Sequence, residues 1–193
     1  MPAPTVGVLA LPGDVREHLA ALARLDVPHL AVRRPEELEA CDGLVIPGGE
    51  STTLAKLART FEVFEPLRKR IASGLPVLGT CAGMILLADR VLDGAPGQET
   101  FGGLDVTVRR NAFGTQLDSF ETDLDVMLFG GAPVHAAFIR APVVEAVGER
   151  AEAVATLEDG RVVAVRQGAL LGTSFHPEIT GETRFHRWFL DRL

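Results

Sequence analysis

Cysteine is scarce in this chain, and several other features are missing altogether. Only Cys41 and Cys81 occur among 193 residues. At most one disulfide could form. No basic, signal-like segment precedes the first apolar stretch, which points to the cytoplasm, a reducing compartment where such a bond has little use. There is no C-x-x-C, and the five histidines lack the i, i+4 spacing of a zinc helix, so no metal is expected. No apolar run reaches the length of a membrane span, which argues against a membrane partner. Basic residues are outnumbered, 19 against 26 acidic, for a formal charge of -7, and a chain of that sign repels polyphosphate, so no nucleic acid partner is expected. Repeats, low-complexity tracts and linkers are also absent, so residues 1–193 read as a single domain. What is present, 47% hydrophobic and 23% charged residues, suits a globular fold with one core.

The first half alternates apolar runs with helical patterns. Residues 5–11 form a branched apolar run broken at Gly13. Asp14 with Glu17 reads as a capping box for a helix whose apolar face carries Leu19, Leu22, Ala23 and Leu25. Residues 30–32 and 44–46 are predicted strands, with a short helix opened by Pro35 between them. Ser51 is the expected N-cap of a helix with Leu54 and Leu57, and a further helix covers residues 64–72. Residues 76–78 make the strand that runs into Cys81. This rhythm predicts an α/β fold with a mixed, mostly parallel sheet flanked by helices. Beyond residue 103 shorter strands follow, some antiparallel, with a turn at Glu158-Asp159-Gly160. Residues 170–175 form a last strand ending at His176. A closing helix over 182–193 places Phe185, Trp188 and Phe189 on one face.

One constellation carries chemistry. Gly79-Thr80-Cys81-Ala82-Gly83 sets a cysteine between two glycines after an apolar run, the pattern of a nucleophile elbow with sulfur in place of oxygen. A thiol at a helix start is helped by the unpaired N–H groups there, and an imidazole can take its proton. His176 is that candidate, and Glu178 would orient it, provided the backbone stays extended around Pro177 so that both side chains share a face. The Ala82 amide is one expected oxyanion donor. Gly48 and Gly49, which lack side chains at a strand end, supply another. Cys41 precedes the run at 44–46 and reads as a small buried hydrophobe. His18, His29, His135 and His186 read as structural or surface residues.

Together, Pro47-Gly48-Gly49, the elbow and His176-Pro177-Glu178 resemble the class I, triad-type glutamine amidotransferases, which have a flavodoxin-like α/β fold. Pro47 to Thr53, Arg110-Asn111-Ala112-Phe113-Gly114, Asp118-Ser119-Phe120-Glu121, Phe138-Ile139-Arg140-Ala141-Pro142 and Val15-Arg16-Glu17-His18 are similar to the glutaminase subunits of pyridoxal 5'-phosphate synthases, over nearly the whole chain. The resemblance implies that Cys81 forms a glutamyl thioester, His176 shuttles protons and Glu178 orients it. It also implies that Gly49, Glu50, Ser51, Arg110, Ile139 and Arg140 recognise L-glutamine. An arginine suits the carboxylate of a free amino acid. The implied partner is a (β/α)8 synthase subunit in a large hetero-oligomer that consumes the ammonia. No cofactor is implied, pyridoxal phosphate being the product of the complex.

Two positions depart from the pattern. Relatives usually carry glutamine where Pro12 stands, and that glutamine is associated with organising the oxyanion region when the synthase docks. Proline offers neither an N–H nor an amide side chain for such a contact. Thr115 replaces a frequent arginine. Two other readings accompany the glutaminase: a glutaminase serving a different synthase, and a catalytically silent subunit that stabilises or regulates its synthase. The intact Cys81, His176 and Glu178 weigh against the second.

Overall fold

The computed structural model describes residues 2–114 and 119–193, so Thr115 and Asp118 lie outside the described residues. Four short apolar runs, β1 (Val6–Leu9), β3 (Gly43–Ile46), β4 (Val77–Thr80) and β12 (Leu170–Thr173), are buried along their full length. Continuous rather than alternating apolarity is what a parallel strand covered on both faces requires. With β2 (His29–Val32) they pair in parallel in the order β2-β1-β3-β4-β12. Consequently the carboxyl ends of β1, β3, β4 and β12 lie side by side. In an open α/β sheet that edge is where ligands bind.

Beyond β12 the sheet becomes mostly antiparallel through β11 (Val162–Gln167), β9 (Val143–Val147) and β6 (Leu104–Arg109). β5 (Ala88–Leu92) lies parallel to β6 at the edge, and β10 (Glu152–Thr156) pairs with β11 across the Glu158-Asp159-Gly160 turn. Strands β7 (Ser119–Leu124) and β8 (Val134–Ile139) form a separate hairpin. It docks on the end of β12, where the His176 amide donates to the Ala137 carbonyl at 3.0 Å.

Helices α1 (Val15–Arg24), α2 (Pro35–Glu39), α3 (Ser51–Thr60), α4 (Phe64–Ala72), α5 (Ala82–Leu87) and α6 (Arg184–Leu190) complete the chain. The predicted aromatic face of α6 is buried as Phe185, Trp188 and Phe189. Phe185 meets Phe175 edge-on at 5.3 Å, and Phe175 in turn meets Phe138 of β8 at 5.5 Å. This row of rings, each worth roughly 2–3 kcal/mol in buried area, anchors the residue before His176. The mixed, mostly parallel sheet flanked by helices is the predicted one. Among the described residues no helix is long and apolar enough to cross a membrane.

Three local expectations need correction. Asp14 stands before α1, but its side chain makes no cap hydrogen bond; it turns toward His176 instead. The cap of α3 is Glu50, not Ser51: the Glu50 carboxylate accepts from the Thr52 and Thr53 amides at 3.0 and 2.8 Å, and Ser51 is the first helical residue. The last helix is shorter than predicted. It starts at Arg184 because the Glu182 amide closes a turn onto the Pro177 carbonyl at 3.0 Å and the Glu182 carboxylate holds Arg184.

Candidate active site

Cys81 sits between β4 and α5 with φ 53° and ψ -108°. That is a strained conformation for a residue with a Cβ, costing on the order of 1–3 kcal/mol. It is held in place by the Cys81 amide, which donates to the Thr173 carbonyl of β12 at 2.7 Å. It also depends on the tight approach of α5 to the sheet. A Cβ on Gly83 would run into the Ile46 carbonyl, and one on Gly79 would lie 2.7 Å from the Gly83 backbone. The glycines of the motif thus let helix and strand touch, and the cysteine takes the strain. Met84 and Ile85 donate back to the Cys81 carbonyl at 3.0 and 3.2 Å. The Ala82 and Gly83 amides are left without an acceptor inside the helix, as at any helix start.

His176 follows β12 and is buried. Its Nδ1 lies 2.8 Å from Glu178 Oε1 and 3.2 Å from Asp14 Oδ2. The backbone here is not extended, contrary to expectation. Residues 177–181 turn, with the Ile179 amide donating to the His176 carbonyl at 3.2 Å, and the turn folds the Glu178 carboxylate back onto the ring. Burial pushes the His176 imidazole toward its neutral form. Hydrogen bonding with Asp14, Cys81 and Glu178 outweighs burial and holds the ring's pKa up at about 12. Burial raises the Glu178 carboxyl, while His176 opposes that rise.

A cleft of about 380 Å³ opens above these groups. Cys81 and His176 lie in it with Gly49, Glu50, Ser51, Arg110, Ile139 and Arg140, and with Asp14 and Asn111. Each predicted substrate-binding residue therefore reaches the same cavity as the thiol. Gly48 stands against the imidazole, since a Cβ there would lie 2.6 Å from His176 Cε1. The Ile139 carbonyl lies 3.9 Å from Cys81 Sγ. Arg140 and Asn111 both adopt positive φ, 45° and 48°, at the cleft wall.

Arg110 is held by three neighbours. Its guanidinium donates to Glu50 Oε1 at 3.0 Å, Gln98 Oε1 at 2.8 Å and Thr52 Oγ1 at 3.1 Å. Gln98 also donates to Ser51 Oγ at 2.8 Å, so one amide side chain ties two cleft residues together. Sequence reasoning missed Gln98, which lies in an irregular stretch with no pattern to single it out. Asp14 was missed as well, read only as a cap. Its position just past the carboxyl end of β1 was the available signal.

Asp14, His176 and Glu178 bring three possible ligand atoms within 4.8 Å, the one such group among the described residues. The shared imidazole nitrogen is already engaged by both carboxylates. Cys41 is buried and pushed up to about 11, first by burial, which suits the inert role expected of it.

A nucleophile on a strained elbow beside a charged imidazole, under a pocket with a fixed guanidinium, is chemistry for attack on a carbonyl of a small anionic molecule. The relatives agree with that. A protein of Nocardioides sp. called pyridoxal 5'-phosphate synthase subunit PdxT is 64% identical over 193 residues, covering 98% of this chain and 96% of that protein. One of the same name from Streptomyces avermitilis is 61% identical, covering 100% and 96%. A crystal structure described as a glutamine amidotransferase is 50% identical and superposes with a TM-score of 0.89 over 97% of both chains. PurLQS from Thermotoga maritima, at 17% identity and TM-score 0.68, shares the fold. The model of the SNO glutamine amidotransferase family matches residues 8–193. This chain belongs to the SNO glutamine amidotransferase family.

Proposed function

We propose that this chain is the glutaminase subunit of a pyridoxal 5'-phosphate synthase, hydrolysing L-glutamine to L-glutamate and ammonia. The observation that carries the reading is the placement of Cys81 and His176 in one cleft with Arg110, whose guanidinium is held by Glu50, Thr52 and Gln98.

In this reading Arg110 takes the α-carboxylate of glutamine, with Glu50, Ser51 and the Ile139-Arg140 segment completing the recognition of the amino acid. The Cys81 sulfur attacks the side-chain amide carbon. The oxyanion is held by the Ala82 amide and by the Gly48-Gly49 segment, and His176 passes a proton to the leaving nitrogen. Ammonia departs and a γ-glutamyl thioester remains. His176 then takes a proton from water, which attacks the thioester and releases glutamate. Glu178 holds the ring through Nδ1 in both steps. No metal or cofactor enters this scheme. The ammonia passes to a synthase subunit within a hetero-oligomer in the cytoplasm, with neither nucleic acid nor membrane involved.

Glutamate release with and without the synthase subunit, for the native chain and for Cys81→Ala, tests this. The native chain is expected to release glutamate and the variant to release none while folding normally. Full activity of Cys81→Ala, or no glutamate from the native chain in the complex, would overturn the reading. Stimulation by the synthase would also show that partner gating does not need a glutamine at position 12.

A further inference from the structure

Gln98 does not line the cleft, and the scheme above gives it no role in choosing the substrate. It lies in the irregular stretch between β5 and β6. A tight turn anchors it there: the Gln98 amide donates to the Ala95 carbonyl at 2.9 Å, and the Ala95 amide donates back to Gln98 Oε1 at 3.3 Å. The next residue, Glu99, accepts from Arg59 of α3 at 2.9 Å. From this turn the Gln98 side chain reaches two cleft residues, Arg110 and Ser51, each at 2.8 Å.

Which end of the amide faces which neighbour follows from what each can do. The Arg110 guanidinium and the Ala95 N–H can only donate, so the atom they share is the carbonyl oxygen, and the amide nitrogen faces Ser51 Oγ. An amide nitrogen accepts nothing. The Ser51 hydroxyl therefore accepts from Gln98, and its own hydrogen points elsewhere. Ser51 is buried at the cleft wall, and among the described residues that hydrogen has no acceptor. Arg110 is similar: Nη1 is engaged by Gln98 and Thr52 and Nη2 by Glu50, whereas Nε has no acceptor among the described residues. Two donors are thus left for the cleft, and a carboxylate satisfies both.

We propose that Gln98 is a positioning residue for substrate selection: its carbonyl oxygen holds Arg110, its amide nitrogen makes the Ser51 hydroxyl a donor, and the two together select an amino acid with a free α-carboxylate. Gln98 acts only through these neighbours and touches no reacting atom. Two substitutions separate its two bonds. Gln98→Met keeps the length and loses both. Gln98→Glu keeps the acceptor for Arg110 and Ala95 but faces Ser51 with a second acceptor, so the hydroxyl turns inward to donate to it. It also sets a negative charge beside the bound carboxylate.

This rests on the glutaminase reading, and the test separates the two. Hydrolysis of L-glutamine and of its neutral α-amide is measured in the complex for the native chain, Gln98→Met and Gln98→Glu. Gln98→Met should raise KM for L-glutamine about tenfold, the worth of one hydrogen bond to an ionised group, with kcat within about twofold. The preference for L-glutamine over the α-amide, as a ratio of kcat/KM, should fall about tenfold in Gln98→Met and at least as far in Gln98→Glu. A merely structural loss would weaken both substrates alike and leave that ratio unmoved. A native ratio in Gln98→Met would overturn the proposal. A native ratio in Gln98→Glu would also overturn it, by showing that the Ser51 hydroxyl needs no donor behind it. Calorimetry gives a reading without turnover: Cys81→Ala should bind L-glutamine about tenfold more tightly than Cys81→Ala carrying Gln98→Met. Equal affinity, or no binding by either, would refute the role of Gln98. Absence of glutamate from the native chain would instead count against the glutaminase, and the binding result would still judge Gln98.

Discussion

Asp14 Oδ2 lies 3.2 Å from the same His176 nitrogen that Glu178 Oε1 approaches at 2.8 Å. One imidazole N–H stands between two carboxylates, the Asp14 carboxylate partly exposed on the cleft wall and the Glu178 carboxylate buried. Burial alone would favour a neutral ring, so the charged form depends on these partners and on Cys81. Asp14→Asn keeps the shape and removes one charge. Because a raised imidazole falls when an anion is lost, His176 should give up its proton at lower pH in the variant than in the native chain. Water screens Asp14, so the shift should be about one pH unit or less. Imidazole NMR signals followed through the alkaline range read it directly. Identical titrations would show that Glu178 and Cys81 suffice.

Gly48 is the closest wall of the imidazole. A Cβ at this position would lie 2.6 Å from both His176 Cε1 and Asp14 Oδ2. Gly48 does not have a left-handed φ, so the backbone accepts alanine and the damage falls on the ring. Gly48→Ala is expected to fold, with a melting temperature within a few degrees of the native one. Displacing the ring by a fraction of an ångström to an ångström should lower kcat on the order of a hundredfold. Thermal melting and glutamine kinetics on one preparation check both halves. Native kcat would mean that the ring has room to shift without losing its proton transfers.

The parts of the site that were legible in the sequence are those encoded locally. The elbow shows itself because its glycines flank the cysteine, and they must do so for α5 to touch β3 and β4. His176 and Glu178 are two residues apart, so their pairing could be read even though the backbone turns where extension was expected. Asp14 and Gln98 escaped because their roles arise from packing between distant segments. The cap of α3 falls one residue before the expected Ser51, because the longer Glu50 side chain reaches two orphan amides. The alternation of strands and helices gave away the parallel half of the sheet. β5 stayed hidden because it follows the six-residue α5 with no turn residue between them.

The Glu50 cap gives the fold a pH signature. Slight burial pushes this carboxyl up, but the Thr53 hydroxyl and the Thr52 and Thr53 amides outweigh it and hold the pKa down at about 2. A carboxyl depressed in the folded state stabilises the protein above its unfolded value and loses that contribution as pH falls toward the folded one. The window here runs from the ordinary value of 4.5 down to about 2. The side chain is half-exposed, so its worth is that of an ordinary cap, about 1 kcal/mol. Glu50→Ala removes the acceptor entirely. The variant should melt lower than the native chain by a constant margin above about pH 5, and that margin should narrow as the pH is taken down toward about 3. Melting curves across that range test the sign. A margin that widens in acid would mean that the carboxylate is not the group capping α3.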